Sequence, residues 1–297
     1  MNKVVILLGQ RVRSGTNFVG TTIGKHPDIV TFPPDKSMGE FNLFPDRAIK
    51  ESVFDKVSNY AFGINISSKD ELAFFEAYGE LWLKLLKEKY RVDETKTIFI
   101  KSFIVYNLDL WQKAFPNAKI AMICRDGRDN VISSVKASND KRNWHNWSLR
   151  VKKKAFYALG LYFLGHALHW KKTARAFSKI QECAQVKKFR YEDLVDSKTG
   201  IEKLLHFYGL DTSDEIISNC INAPVVGSSF GVDSNNEAKP NWQPDYDKSK
   251  FNFIGKWSKW GPFKRALFKL LANKEMTKLG YYSNDLENDL DALETVK

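Results

Sequence analysis

The chain has 297 residues, 43% of them hydrophobic, and a formal charge of +11. This size and apolar content exclude a disordered chain and allow one large α/β core. The charge points to an anionic ligand without choosing among nucleotide, nucleic acid, sulfated glycan and membrane surface.

In chain order, residues 4–8 form an apolar run that reads as a buried strand. The run is too short for a secretory signal or a membrane span. Cys124, Cys183 and Cys220 are odd in number and lack metal-type spacing, which argues against a disulfide framework or a zinc site. A reduced, cytoplasmic enzyme with no transmembrane segment is therefore expected. Gly9 opens a short basic loop, and Phe18, Val19 and Ile23 begin a helix-like spacing. Residues 29–32 read as a second strand, broken by Pro33 and Pro34, with Glu40 in the loop beyond. Residues 46–70 are poorly periodic, with a strand expected over 61–66, and residues 70–90 form an amphipathic helix.

Strands follow at 97–101 and 119–124, separated by a helix near 108–115. A further helix begins about Asn130, and residues 140–150, with Trp144, His145 and Trp147, read as a loop or lid. Residues 151–180 form a long helical pattern, 186–191 a strand, and 201–208 a helix ending at Gly209. Residues 223–250 are irregular, 262–279 form a basic amphipathic helix, and 284–297 an acidic polar tail. Strands alternating with helices, each strand nearly all apolar, predict one α/β domain over 1–283 with a parallel sheet covered on both faces.

The chemistry concentrates after the first strand. A strand that feeds a helix through Arg13-Ser14-Gly15-Thr16-Asn17-Phe18 forms a phosphate cradle, because helix N-terminal N–H groups point at the anion. It is not a Walker A loop: five residues separate Gly9 from Gly15, and Thr16 stands where that loop has its Lys. A second basic element, Arg125-Asp126-Gly127-Arg128-Asp129, leaves the strand at 119–124, with Ser133 about two turns into the next helix. Arg offers a planar fork to phosphate, although in isolation the pairing of Arg125 and Arg128 with Asp126 and Asp129 at the surface is slightly favoured.

Arg13-Ser14-Gly15-Thr16-Asn17 resembles the Lys/Arg-Ser-Gly-Thr-Thr phosphosulfate loop of sulfotransferases. The run from Arg125 to Ser133 resembles that family's 3′-phosphate motif, and Tyr191-Glu192-Asp193-Leu194 its Tyr-Glu-Asp-Leu segment. Gly255-Lys256-Trp257 resembles its C-terminal Gly-Asp-Trp. The four motifs stand in the family's order. The resemblance implies a P-loop-like three-layer α/β fold that binds 3′-phosphoadenosine 5′-phosphosulfate (PAPS) and transfers its sulfuryl group without a metal. It places Arg13 and the Ser14–Phe18 backbone at the phosphosulfate, Arg125, Ser133, Lys250 and Lys256 at the 3′-phosphate end, and Tyr191, Phe253 and Trp257 near the adenine. Gly255 belongs to the same C-terminal loop.

Two departures shape the expectations. Lys250-Phe251-Asn252 replaces an Arg-Lys-Gly, so only Lys250 keeps a cation there. Lys101-Ser102-Phe103 stands where cytosolic members have Lys-Thr-His, and Phe103 cannot take a proton. Lys101 either assists the transfer or is a strand-end surface lysine. Gly39-Glu40-Phe41-Asn42-Leu43-Phe44 resembles the Lys-Glu-Pro-His-Phe-Phe segment of glycan sulfotransferases, in which the Glu is the base. The expected base is Glu40, desolvated by Phe41 and Phe44, with an exposed loop Glu as the alternative and His145 as the next candidate. The expected acceptor is a carbohydrate or other small polyhydroxylated molecule rather than nucleic acid. A P-loop kinase and a non-catalytic binder of anionic glycans are the competing readings, and oligomeric state is left open.

Overall fold

The computed structural model describes residues 3–32, 34, 38–60, 65–139, 147–195, 197–226, 229–232, 238–241, 244–248 and 254–282. Its frame is a five-stranded parallel sheet in the order β2-β3-β1-β4-β5, built from β1 (Val4–Gly9), β2 (Ile29–Thr31), β3 (Thr97–Ser102), β4 (Lys119–Cys124) and β5 (Val186–Arg190). Side chains alternate across it as strand geometry requires. Ile6, Leu8, Ile98, Ile100, Ile120 and Met122 enter one core cluster, and Val5, Leu7, Phe99, Ala121 and Ile123 enter the other. Two covered faces explain why each strand reads as an unbroken apolar run.

The first cluster takes in residues of α3 (Ser68–Tyr90) and α4 (Leu108–Ala114), including the fully buried Phe75 and Trp111. A reciprocal capping box starts α3, in which Ser67 and Asp70 satisfy each other's backbone donors. The second cluster takes in α1 (Thr16–Ile23), α9 (Lys198–Tyr208) and α10 (Asp214–Ile221). A third cluster joins α5 (Gly127–Ser138), α7 (Leu161–Lys179) and α11 (Pro262–Lys278) around Trp170 and Phe268. Short antiparallel pairs, β6 (Val225–Val226) with β9 (Pro244–Asp245) and β7 (Ser229–Val232) with β8 (Ala238–Asn241), occupy the irregular region.

Several elements differ from the sequence expectations. Residues 49–60 are helical, as a π-helical turn (Ile49–Phe54) running into α2 (Asp55–Tyr60). The strand expected over 61–66 falls partly outside the described residues, and Asn65 and Ile66 are not in a strand. Helix α5 starts at Gly127 rather than Asn130, because Asp126 caps it by accepting from the Arg128 N–H at 2.8 Å. The loop expected over 140–150 gives way to α6 (Trp147–Ala158) from residue 147 onward; 140–146 lie outside the described residues. The pattern over 151–180 breaks at Gly160, whose φ of 69° ends one helix and opens the next. Among the described residues, no helix is long and apolar enough to cross a membrane.

Strand β1 lies mid-sheet, between β3 and β4, so the chain crosses from one side of it to the other. That crossing makes β1 the switch point of the sheet, at whose strand ends α/β folds take their ligands.

Candidate active site

The loop after β1 is shaped by two left-handed residues, Arg13 (φ 69°) and Gly15 (φ 93°). For Arg13 that conformation costs about 1–2 kcal/mol, a strain typical of ligand-binding turns. Ser14 is fully buried and closes the turn: its Oγ accepts from the Arg11 N–H, and its own N–H donates to the Arg11 carbonyl, both at 3.3 Å. Gly15 is required twice over. Besides its φ, a Cβ there would lie 2.2 Å from the Tyr191 ring. The Val19 N–H donates to the Gly15 carbonyl at 3.2 Å, and no side chain caps α1. The N–H groups of Gly15, Thr16 and Asn17 therefore have no partner within the helix, the arrangement by which helix starts bind anions.

Lys101 lies one residue before the end of β3, in register with Leu7 of β1. It is not a surface lysine but fully buried. Its Nζ donates to Asn17 Oδ1 at 2.9 Å and forms an ion pair with the half-buried Glu40. Burial drives the Lys101 pKa down to about 7. Glu40 reaches this position through backbone pairing. It bridges Lys101 in parallel, with the Lys101 N–H donating to the Gly39 carbonyl at 2.6 Å and the Phe41 N–H to the Lys101 carbonyl at 3.1 Å. The segment after β2 thus resumes the place of β2 along β3. Gly20 admits it, since a Cβ there would meet the Met38 carbonyl at 2.5 Å.

The expected flanking of Glu40 by two phenylalanines needs correction. Phe44 is fully buried in the core, edge-on to Trp111 at 5.2 Å, and Phe41 packs against Trp82. The apolar demand of the α3–α4 core takes both rings.

The second arm rises from β4. Arg125 places its guanidinium 4.7 Å from the centre of the Tyr191 ring and donates to the Arg13 carbonyl at 3.3 Å, which joins the two arms. Arg128 is committed elsewhere, paired with Asp126 at 2.6 Å and lying 3.7 Å over the Trp257 ring. Asp129 is held by backbone: it accepts from the Gly255 N–H at 2.7 Å and the Trp257 N–H at 3.2 Å. These bonds bring Lys256 beside Arg125. Burial lowers the Lys256 pKa, repulsion from Arg125 and Lys136 lowers it further, and Asp129 offsets part of this. Cations held this close together favour an anion between them.

A profile described as the sulfotransferase family matches residues 5–214. The chain belongs to the sulfotransferase family. A search of curated proteins gives no match. Among solved structures, it is similar to a sulfotransferase domain from the curacin biosynthetic pathway, at 15% identity and a TM-score of 0.55, over 94% of this chain and 98% of that one. The sulfotransferase domain of a Synechococcus PCC 7002 olefin synthase is similar at 16% identity and a TM-score of 0.52, over 95% and 96% of the two chains. Mouse sulfotransferase SULT7A1, complexed with PAP, is similar at 14% identity and a TM-score of 0.50, over 92% and 84%. At such identities the likeness concerns the fold, a parallel sheet flanked by helices.

In this sulfotransferase the loop residues Arg13, Ser14, Gly15, Thr16 and Asn17 are tied to Lys101 and Glu40 on one side and to Arg125 and Lys256 on the other. Ser133 is half-buried on α5, two turns beyond Arg125. Tyr191 is 2% exposed; its ring backs Gly15 and meets Phe18 edge-on at 5.9 Å. Trp257 is stacked by Arg128. Lys250, Phe253 and His145 lie outside the described residues. Sequence reasoning missed Arg11, Asp129, Glu192 and His166. Glu192 is half-buried, accepts from the Asp126 N–H at 2.9 Å and from Tyr281 Oη at 2.8 Å, and has its pKa raised by burial. Its place within Tyr-Glu-Asp-Leu was the only available signal; the other partners are too distant in sequence to show a pattern.

Proposed function

We propose that the protein is a PAPS-dependent sulfotransferase that uses Glu40 as base to sulfate a hydroxyl of a carbohydrate or other small polyhydroxylated acceptor. The observation that carries this is the buried Lys101 ammonium, paired with Glu40 and hydrogen-bonded to Asn17 at the mouth of the phosphate loop. A cation and a carboxylate held side by side there suit a reaction that develops negative charge on a leaving oxygen and releases a proton from the attacking one.

The residues present fit the donor. The free N–H groups of Gly15, Thr16 and Asn17 suit its 5′ end, and the Arg125–Lys256 pair of cations suits its 3′-phosphate. SULT7A1 complexed with PAP lends this reading support from the fold. Bound PAPS would supply the sulfuryl group. Arg13 and Lys101 would stabilise charge on the bridging oxygen, and Ser133 would complete the 3′-phosphate cage. Glu40, a carboxylate in its ion pair, would take the acceptor's proton as the new S–O bond forms and the bond to the phosphate oxygen breaks. Nothing in this scheme calls on a metal. The domain is taken as residues 1–283 with a tail at 284–297, and the compartment as cytoplasm.

Calorimetric titration with 3′-phosphoadenosine 5′-phosphate (PAP) and with ATP tests the assignment. Tight binding of PAP and weak binding of ATP are expected. The reverse order would establish a kinase-like site, and binding of neither, alongside salt-sensitive capture of anionic glycans, a non-catalytic binder.

A further inference from the structure

Helix α7 stands behind both arms of the site. Gln10 Nε2 donates to the Trp170 carbonyl at 3.4 Å and to Thr173 Oγ1 at 3.2 Å, and Trp170 Nε1 donates to the Arg125 carbonyl at 3.3 Å. The third tie is chemically unusual. Arg11 is 3% exposed, and among the described residues no carboxylate pairs with it. Its Nη1 donates to the His166 carbonyl at 2.9 Å, and its Nη2 lies 3.3 Å from His166 Nδ1. A guanidinium has only donors, so Nδ1 must present its lone pair. The ring proton then sits on Nε2, 2.9 Å from Ser138 Oγ on α5. One neutral imidazole therefore joins the phosphate loop, α7 and the end of α5.

We infer that His166 is a positioning residue for sulfuryl transfer, whose neutral Nδ1 latches Arg11, and with it the phosphate loop, onto α7. The loop's backbone depends on that latch directly, because the Arg11 N–H and carbonyl are the groups that bind Ser14 and close the turn. Protonation of His166 would replace the acceptor by a second donor facing Arg11 and open the latch.

The surroundings keep it closed. Facing the pair are Ser138 from α5, Tyr162 and His169 on the same helix, and Tyr106 from the turn after β3, with Lys172 near His169. Helix α6 contributes Phe156 against Tyr162. The carboxylate that α11 presents to α7, Glu275, is taken by Arg175 farther along. No acid in this set would stabilise an imidazolium. Burial and the Arg11 charge hold the His166 pKa down to about 4.

This inference rests on PAPS being the donor, so its test has one arm that does not. In the intact protein, ¹⁵N NMR should find His166 as the Nε2–H tautomer, titrating well below pH 6; an Nδ1–H tautomer overturns the latch whatever the donor. In the second arm, PAP affinity is measured at pH 7.5 for the wild type, His166→Leu and His166→Asn. Leu removes the acceptor and should weaken PAP by about 10-fold or more, the range for a hydrogen bond to a charged group. Asn offers a carbonyl near the Nδ1 position and should recover most of that loss. Equal PAP affinity in all three overturns the positioning role, whereas a wild type that binds no PAP overturns the donor assignment and leaves the tautomer to decide the latch.

Discussion

Replacing Glu40 by Gln removes the proposed base and, in the same step, the counter-ion of Lys101. Loss of a positioned base typically costs about 10²–10⁴ in kcat. The structure adds a second signature. Lys101 is fully buried, and burial alone places its pKa at about 7. Removing the carboxylate paired with it takes away a stabilising anion, so the variant should lose its ammonium at a lower pH than the wild type. The residual turnover of Glu40→Gln should therefore fall with rising pH as the cation is lost, with its midpoint below that of the wild type. Stability should move the other way. An unfolded lysine titrates near 10.5 and the folded one at about 7, so across that window the unfolded protein binds more protons than the folded one and stability rises with pH, from a lower starting pH in the variant. Single-turnover transfer from PAPS, followed from pH 6 to 8.5, reads the first effect, and urea melts over a higher range read the second. Wild-type kcat in the variant, or a residual rate flat across pH 6 to 8, would refute the coupling between base and buried lysine.

Arg13→Ala should lower kcat by about 10²–10³, as loss of a preorganised donor does, and a near-normal kcat from steady-state kinetics would remove Arg13 from the chemistry. Arg125→Ala should raise the Kd for PAP about 10- to 100-fold by calorimetry while leaving adenosine 5′-phosphosulfate, which lacks the 3′-phosphate, almost unaffected. Gly15→Ala would drive a methyl into the Tyr191 ring in a backbone conformation that alanine resists, so both the melting temperature and PAP binding should drop; wild-type values for both would contradict the loop geometry. Activity should survive EDTA, and a strict Mg²⁺ requirement would favour a kinase-like mechanism.

The sheet was readable because covering both faces leaves strands such as β4 almost wholly apolar. The helical segment at 49–60 was not, since it has no buried residues and so no apolar stripe; Lys50 within it and Arg47 just before it reach Asp55, Glu71 and Asp109 across the surface. The start of α5 carried its signal in the capping Asp126, which the basic residues around it obscured. Within the site, the loop residues were legible because local geometry demands them: a left-handed Gly15 and a helix start that presents N–H groups. The pairing of Glu40 with Lys101 was not, because it follows from the register of the resumed β2 edge on β3. Nor was Asn17's part in it. The amide that departs from the family loop supplies the acceptor that orients Lys101.

Asp129 bears on how the enzyme is made. Its two N–H donors, from Gly255 and Trp257, lie 126 and 128 residues farther along the chain. During synthesis the sheet strands and the phosphate loop are complete long before that segment leaves the ribosome. Until then Asp129 lacks its backbone partners and Arg125 lacks its neighbouring Lys256. A nascent chain stopped near residue 214, where the family match ends, should hold the folded sheet yet bind PAP only weakly. The proposed anion site therefore depends on a segment made well after the sheet, and a product truncated before it would be a sulfotransferase fold without those contacts.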